Sequence, residues 1–135
     1  MFERSVLPVV QAGLAELVSG SHRLSAAMQV VSAPGHTLGH QMLHVESAGR
    51  HAFFTGDCSH HPIQLIEPSI PFGDAEDLQQ VIAMRRRLVQ LSADLGAPLI
   101  AAHLPFPYAV RAAREADAIR LAAAAGAPTP APRDW

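Results

Sequence analysis

The sequence predicts an α/β domain with a mixed sheet covered by helices, and three observations carry that expectation. Residues 41–47 and 50–55 read as strands around Ala48-Gly49, a tight hairpin. A long amphipathic helix follows, then another strand opening at Pro98. Three apolar runs each end in a potential metal ligand: residues 28–35 run into His36, residues 51–56 into Asp57, and residues 98–102 into His103. Three such tips converge only when their strands lie together in one sheet.

Along the chain, Ser5 is expected to cap a short helix through Ala12, with Pro8 in its first turn and Gly13 as its stop. Residues 14–18 read as a short strand and residues 28–33 as another. Residues 58–73 hold Pro62, Pro68 and Pro71 with little periodicity and read as a long ordered loop. Asp74 is expected to cap the main helix, whose apolar stripe is Leu78, Val81, Ile82, Leu88, Val89, Leu91 and Leu95. Arg85, Arg86 and Arg87 read as a solvated face of that helix, and Gly96 as its end. The Ala-rich stretch 109–125 reads as a weakly amphipathic helix. Residues 1–125 form one expected domain, and the Pro-rich residues 126–135 an expected disordered tail.

Composition narrows the classes. The 135 residues are 49% hydrophobic and 16% charged, which suits a globular domain with a core. A net charge of -2 implies no nucleic-acid partner. No apolar stretch reaches the ~18 residues that span a membrane, and no secretory signal is visible, so a cytoplasmic location is expected. Cys58 is the only cysteine, so no internal disulfide forms. Eight histidines point toward metal or proton chemistry.

The segment Pro34-Gly35-His36-Thr37-Leu38-Gly39-His40 is the most specific. Its glycines permit a tight loop that projects His36, and neutral imidazole is a good zinc ligand. Thr55-Gly56-Asp57 places at a second strand end a carboxylate whose two oxygens can bridge two metals. Ala102-His103-Leu104-Pro105 adds a second imidazole. His60 and His61 follow the carboxylate and can line a pocket, handle protons or simply shape the loop. Phe106 and Tyr108 can wall an apolar pocket or pack in the core. Cys58 reads as a small buried residue, His44 as a strand residue, and His22 and His51 as surface turn residues.

These motifs resemble the metallo-β-lactamase superfamily of metallohydrolases over about residues 5–108. The Gly-His-Thr-x-Gly-His loop, the Thr-Gly-Asp strand end and the Ala-His-Leu-Pro segment match that family's later metal motifs. Gly56-Asp57-Cys58-Ser59-His60-His61-Pro62 and His103-Leu104-Pro105-Phe106-Pro107 look most like the branch of lactonases and methyl-parathion-hydrolase-like enzymes. The resemblance implies the C-terminal half of an αββα sandwich. It implies that His36 ligates the first of two zinc ions, His103 the second, and Asp57 both, while His40 supports the site without ligating. The implied reaction is attack of metal-activated water on an ester, lactone or phosphoester of a small-molecule substrate.

The family's earlier His-x-His-x-Asp-His motif is absent from this sequence, and with it two further ligands for each metal. Three residues shared between two ions fall short of the usual three protein ligands per catalytic zinc. Weak or partial zinc occupancy in this chain alone is therefore expected, with a complementary N-terminal half or a homo-oligomer supplying the rest. An inactive remnant or regulatory fragment is the alternative, as is an oxidoreductase or nuclease on the same scaffold. An in-frame or neighbouring frame carrying the missing motif upstream of Met1 is the expected discriminating observation.

Overall fold

The computed structural model describes residues 2–71, 73, 75–106, 108–116 and 118–124. Its centre is a seven-stranded sheet in simple sequential order: β1 (His22–Arg23), β2 (Met28–Ser32), β3 (Gln41–Ser47), β4 (Arg50–Gly56), β5 (Leu99–Ala101), β6 (Ala109–Glu115) and β7 (Ala118–Ala123). Every neighbouring pair is antiparallel except β4 and β5, which are parallel. A parallel pair needs a crossover, and the chain supplies one through α3 (Ile63–Ile66) and α4 (Leu78–Leu95). The sheet is therefore mixed and the class α/β, as expected.

The β3–β4 hairpin forms where the sequence places it, with Ser47 opposite Arg50 and Ala48 at a positive φ of 49°. Helix α4 is the cover. Val81, Ile82, Met84, Leu88 and Val89 are buried along it, and Leu88 is fully enclosed. Met84, Leu88 and Val89 meet Met42, Phe53, Leu99, Val110 and Ala112, which project from one sheet face. Ser92 ties helix to sheet: its hydroxyl donates to the Ala97 carbonyl at 2.6 Å and accepts from the Ala112 amide at 2.9 Å. Gly96, at φ 60°, ends the helix.

Several expectations are corrected. The cap of α4 is Asp77, whose Oδ1 accepts from the Gln80 amide at 3.0 Å, whereas Asp74 lies outside the described residues. Leu78 and Leu95 sit at the rim of the stripe and are exposed. Arg85 is buried, because three backbone carbonyls take its guanidinium. Residues 14–18 form no strand; they have no partner strand, and Leu14 and Leu17 are exposed. The helix expected from Ser5 is two short ones, α1 (Phe2–Ser5) and α2 (Leu7–Gln11), broken at Val6. The loop at 58–73 contains α3.

The largest correction is at 109–124, where a hairpin replaces the Ala-rich helix. Helix propensity is a weak prior. Here Val110 and Ala112 alternate into the core beneath α4, and the open edge of β5 offers hydrogen bonds that a helix could not use. Residues 125–135, which include the expected tail, lie outside the described residues. No described helix is long and apolar enough to cross a membrane.

The second face of the sheet is also apolar, and among the described residues no long helix packs on it as α4 does on the first. Register and alternation place Met28, Val30, Leu43, Val45, Ala52, Phe54 and Ile100 on it. Phe54 is 45% exposed while its chain neighbour Phe53 is 3% exposed. Helices α1 and α2 contribute no buried residue.

Candidate metal centre

His36, Asp57 and His103 follow the C-terminal ends of β2, β4 and β5, and the sheet brings them together at one edge. The two carboxylate oxygens of Asp57 face different imidazoles. His36 Nε2 stands 3.6 Å from Oδ2, and His103 Nε2 stands 3.2 Å from Oδ1. Two ligands of one tetrahedral zinc, each ~2.0–2.2 Å from the ion, stand about 3.4 Å apart. The observed spacings lie on either side of that value, so the donor set fits one ion beside each oxygen.

The His36 loop is held by backbone contacts. The Ala33 amide donates to the His40 carbonyl at 2.9 Å, and the Gly35 amide to the Thr37 carbonyl at 3.0 Å. The loop then docks on the start of α4. The Asp77 amide donates to the Gly35 carbonyl, and Glu76 Oε2 accepts from the Leu38 amide at 2.6 Å. Gly35 has φ 137°, and a Cβ there would lie 2.6 Å from the Val81 nitrogen, so the approach of loop to helix requires glycine.

His40 lies between the His36 loop and the Asp57 loop. Its Nε2 lies 3.1 Å from the Asp57 amide and its Nδ1 3.0 Å from the Ala33 carbonyl. An amide can only donate, so Nε2 is the acceptor and the ring proton sits on Nδ1. One imidazole thus joins the His36 loop to the Asp57 loop. It leaves no room beside Gly56, where a Cβ would meet His40 Nε2 at 2.8 Å.

Of the weaker candidates, His60 comes closest. Its ring stacks on that of His103 with centroids 4.6 Å apart and lies 5.7 Å from that of His36. Asp57, His60 and His103 each offer a ligand atom within 4.8 Å of the others. Burial first, and then the neighbouring His103, lower the His60 pKa, which favours the neutral ring a metal needs. His61 turns away and accepts from the Ile63 amide through Nδ1, a loop-shaping role. Phe106 and Tyr108 pack edge to face at 5.8 Å beyond His103, and both are exposed. Cys58 is buried, and desolvation pushes its thiol up to about 12, so it is no ready thiolate ligand. His22 and His51 lie in strands, not turns. His44 is a half-buried strand residue stacked on Phe53.

Arg85 is the residue that sequence reasoning missed. Its guanidinium donates to the carbonyls of Cys58, Pro68 and Ile70 at 2.8–2.9 Å and so fastens both ends of the loop that follows Asp57. Its position, four after Val81 and three before Leu88 on the buried stripe, was the available signal. The site itself is shallow. The His103 side chain is 56% exposed.

No protein-family model matches the sequence, and no curated protein matches it either. Solved structures do. A dizinc quorum-quenching lactonase, AidC, in complex with a product, superposes with a TM-score of 0.72 at 19% identity, over 92% of this chain and 47% of that one. The beta lactamase superfamily hydrolase AbOPH gives 0.73 at 20% identity, over 90% and 42%. A probable metal-dependent hydrolase from Staphylococcus aureus gives 0.67 at 18% identity, over 74% and 36%. The chain spans less than half the length of each of these proteins. The chain shares its fold with these structures, which include a dizinc lactonase and a hydrolase of the beta lactamase superfamily.

Proposed function

We propose that this chain is the metal-anchoring portion of a hydrolase that uses water to cleave an ester, lactone or phosphoester, and that a second layer seated on the open sheet face completes it. The observation that carries the reading is the carboxylate of Asp57 with a different imidazole facing each oxygen. Asp57, His36 and His103, with His60 beside His103, would hold the metal, with a different imidazole facing each Asp57 oxygen. Zinc bound there supplies Lewis acidity and lowers the pKa of a water toward about 7. His40 fixes the carboxylate's backbone, and Arg85 fixes the loop behind it. Phe106 and Tyr108 stand where an apolar substrate group would lie.

The half-length match and the apolar open face support a second layer, either an N-terminal half, joined or separate, or another copy of the chain. Zinc content and hydrolysis of a lactone, a carboxyl ester and a phosphotriester test the reading, with Asp57→Asn as the reference. Difference counts only ions held through Asp57. The expected result is a loss of bound zinc in Asp57→Asn, with turnover appearing when the complementary half is supplied. Equal zinc in both proteins would overturn the site. Zinc loss without turnover in the completed protein would favour a non-hydrolytic remnant, a reading supported by the lack of a third donor for His36's ion among the described residues.

A further inference from the structure

A second cluster of donors stands at the hairpin end of the same sheet. His44 and Glu46 share one face of β3, and His51 on β4 lies directly opposite Glu46. His51 is six residues before Asp57 along β4, about 20 Å away at strand rise. His44 Nε2 and His51 Nδ1 approach to 3.0 Å, their rings are within 13° of parallel, and a ring nitrogen of each histidine and a Glu46 oxygen all lie within 4.8 Å of one another. The function proposed above uses none of these residues.

We infer that His44, Glu46 and His51 form a second metal site, selective for a borderline divalent cation of the zinc class. Two imidazoles with one carboxylate is a recurrent zinc donor set, and imidazole disfavours magnesium and calcium. The two nitrogens of one tetrahedral zinc stand about 3.3 Å apart, close to the 3.0 Å seen here, and both rings would turn their lone pairs from each other onto the ion. At present one ring donates to the other, and on binding that donor's proton shifts to its second nitrogen, so no net proton is lost from the neutral pair. Strand positions hold all three donors at fixed spacing, with Phe53 stacked on His44 at 4.6 Å behind the pair. His44 lines a cleft of about 300 Å³ between the sheet and α4, and His51 lines one of about 430 Å³. The fourth position is thus reachable by water or a small ligand.

Zinc titration with metal analysis after gel filtration tests the site in the full chain. A His36→Ala/Asp57→Ala/His103→Ala variant removes the first centre, and it is expected to retain close to one zinc per chain. Adding His51→Gln is expected to weaken that binding at least tenfold. A folded triple variant that binds no zinc overturns the inference, as does binding unchanged by His51→Gln. Should the triple variant not fold, wild type is compared with His44→Gln/His51→Gln, which is expected to lose one zinc per chain. Equal content in those two proteins overturns the inference. Failure at Asp57 leaves the His51-dependent zinc in place, so the two sites fail separately.

Discussion

Phe53 and Phe54 are neighbours on one strand with opposite surroundings, and the contrast runs across the whole sheet. On the Phe53 side, α4 closes over Met42, Leu99, Val110 and Ala112. On the Phe54 side, residues just as apolar meet no comparable layer among the described residues, and Phe54 and Met28 are exposed. A sheet buries both apolar faces only when each has a partner layer. The closed face therefore holds most of the buried side chains among the described residues, and the open face is where the proposed second layer would sit. The His36–Asp57–His103 cluster lies at the end of the sheet, with the His103 side chain 56% exposed.

Substitutions should separate the two faces. Arg85→Ala is expected to be the most damaging, at about 4 kcal/mol, because it leaves buried carbonyls without their charged donor; urea unfolding measures it, and a cost below about 1 kcal/mol would mean that the loop finds other donors. Leu88→Ala, in the centre of the closed face, is expected to cost about 3 kcal/mol on the same assay. Cys58 gives a smaller, pH-dependent effect. Its folded pKa is raised from 9.0 to about 12, so the unfolded chain loses its proton first. Stability is then complete below pH 9 and declines between 9 and 12, by about 1 kcal/mol at pH 10. Cys58→Ala should remove that part of the alkaline slope, and the native thiol should resist alkylation at pH 8. Phe54→Ser on the open face should change stability by less than about 0.5 kcal/mol and reduce self-association in sedimentation. A loss comparable to that of Leu88→Ala would show that the open face is already covered in solution.

Much of this was legible in the sequence where local chemistry and tertiary structure agree. The β3–β4 hairpin, the stripe of α4 and the strands that lead into His36, Asp57 and His103 follow from period and turn residues. Ala109–Ala123 was not legible, since alanine favours helix in isolation and only the free edge of β5 turns it to strand. Arg85 was masked by Arg86 and Arg87, because three consecutive arginines read as a solvated face while the helix turns only the first inward. The pairing of His44 with His51 depends on strand register, which a list of residue types does not contain.

The one parallel pairing has a consequence in time. The His40–Asp57 contact joins residues 17 apart across a hairpin, whereas the approach of His103 to Asp57 waits for the whole excursion through α3 and α4. Short loops close sooner. In pulse-labelled hydrogen exchange during refolding, the Asp57 amide, held by His40, should gain protection before the Ala102 amide, held by the Gly56 carbonyl. The carboxylate would then be set in place before its second imidazole arrives, so the order of assembly follows the order of the chain.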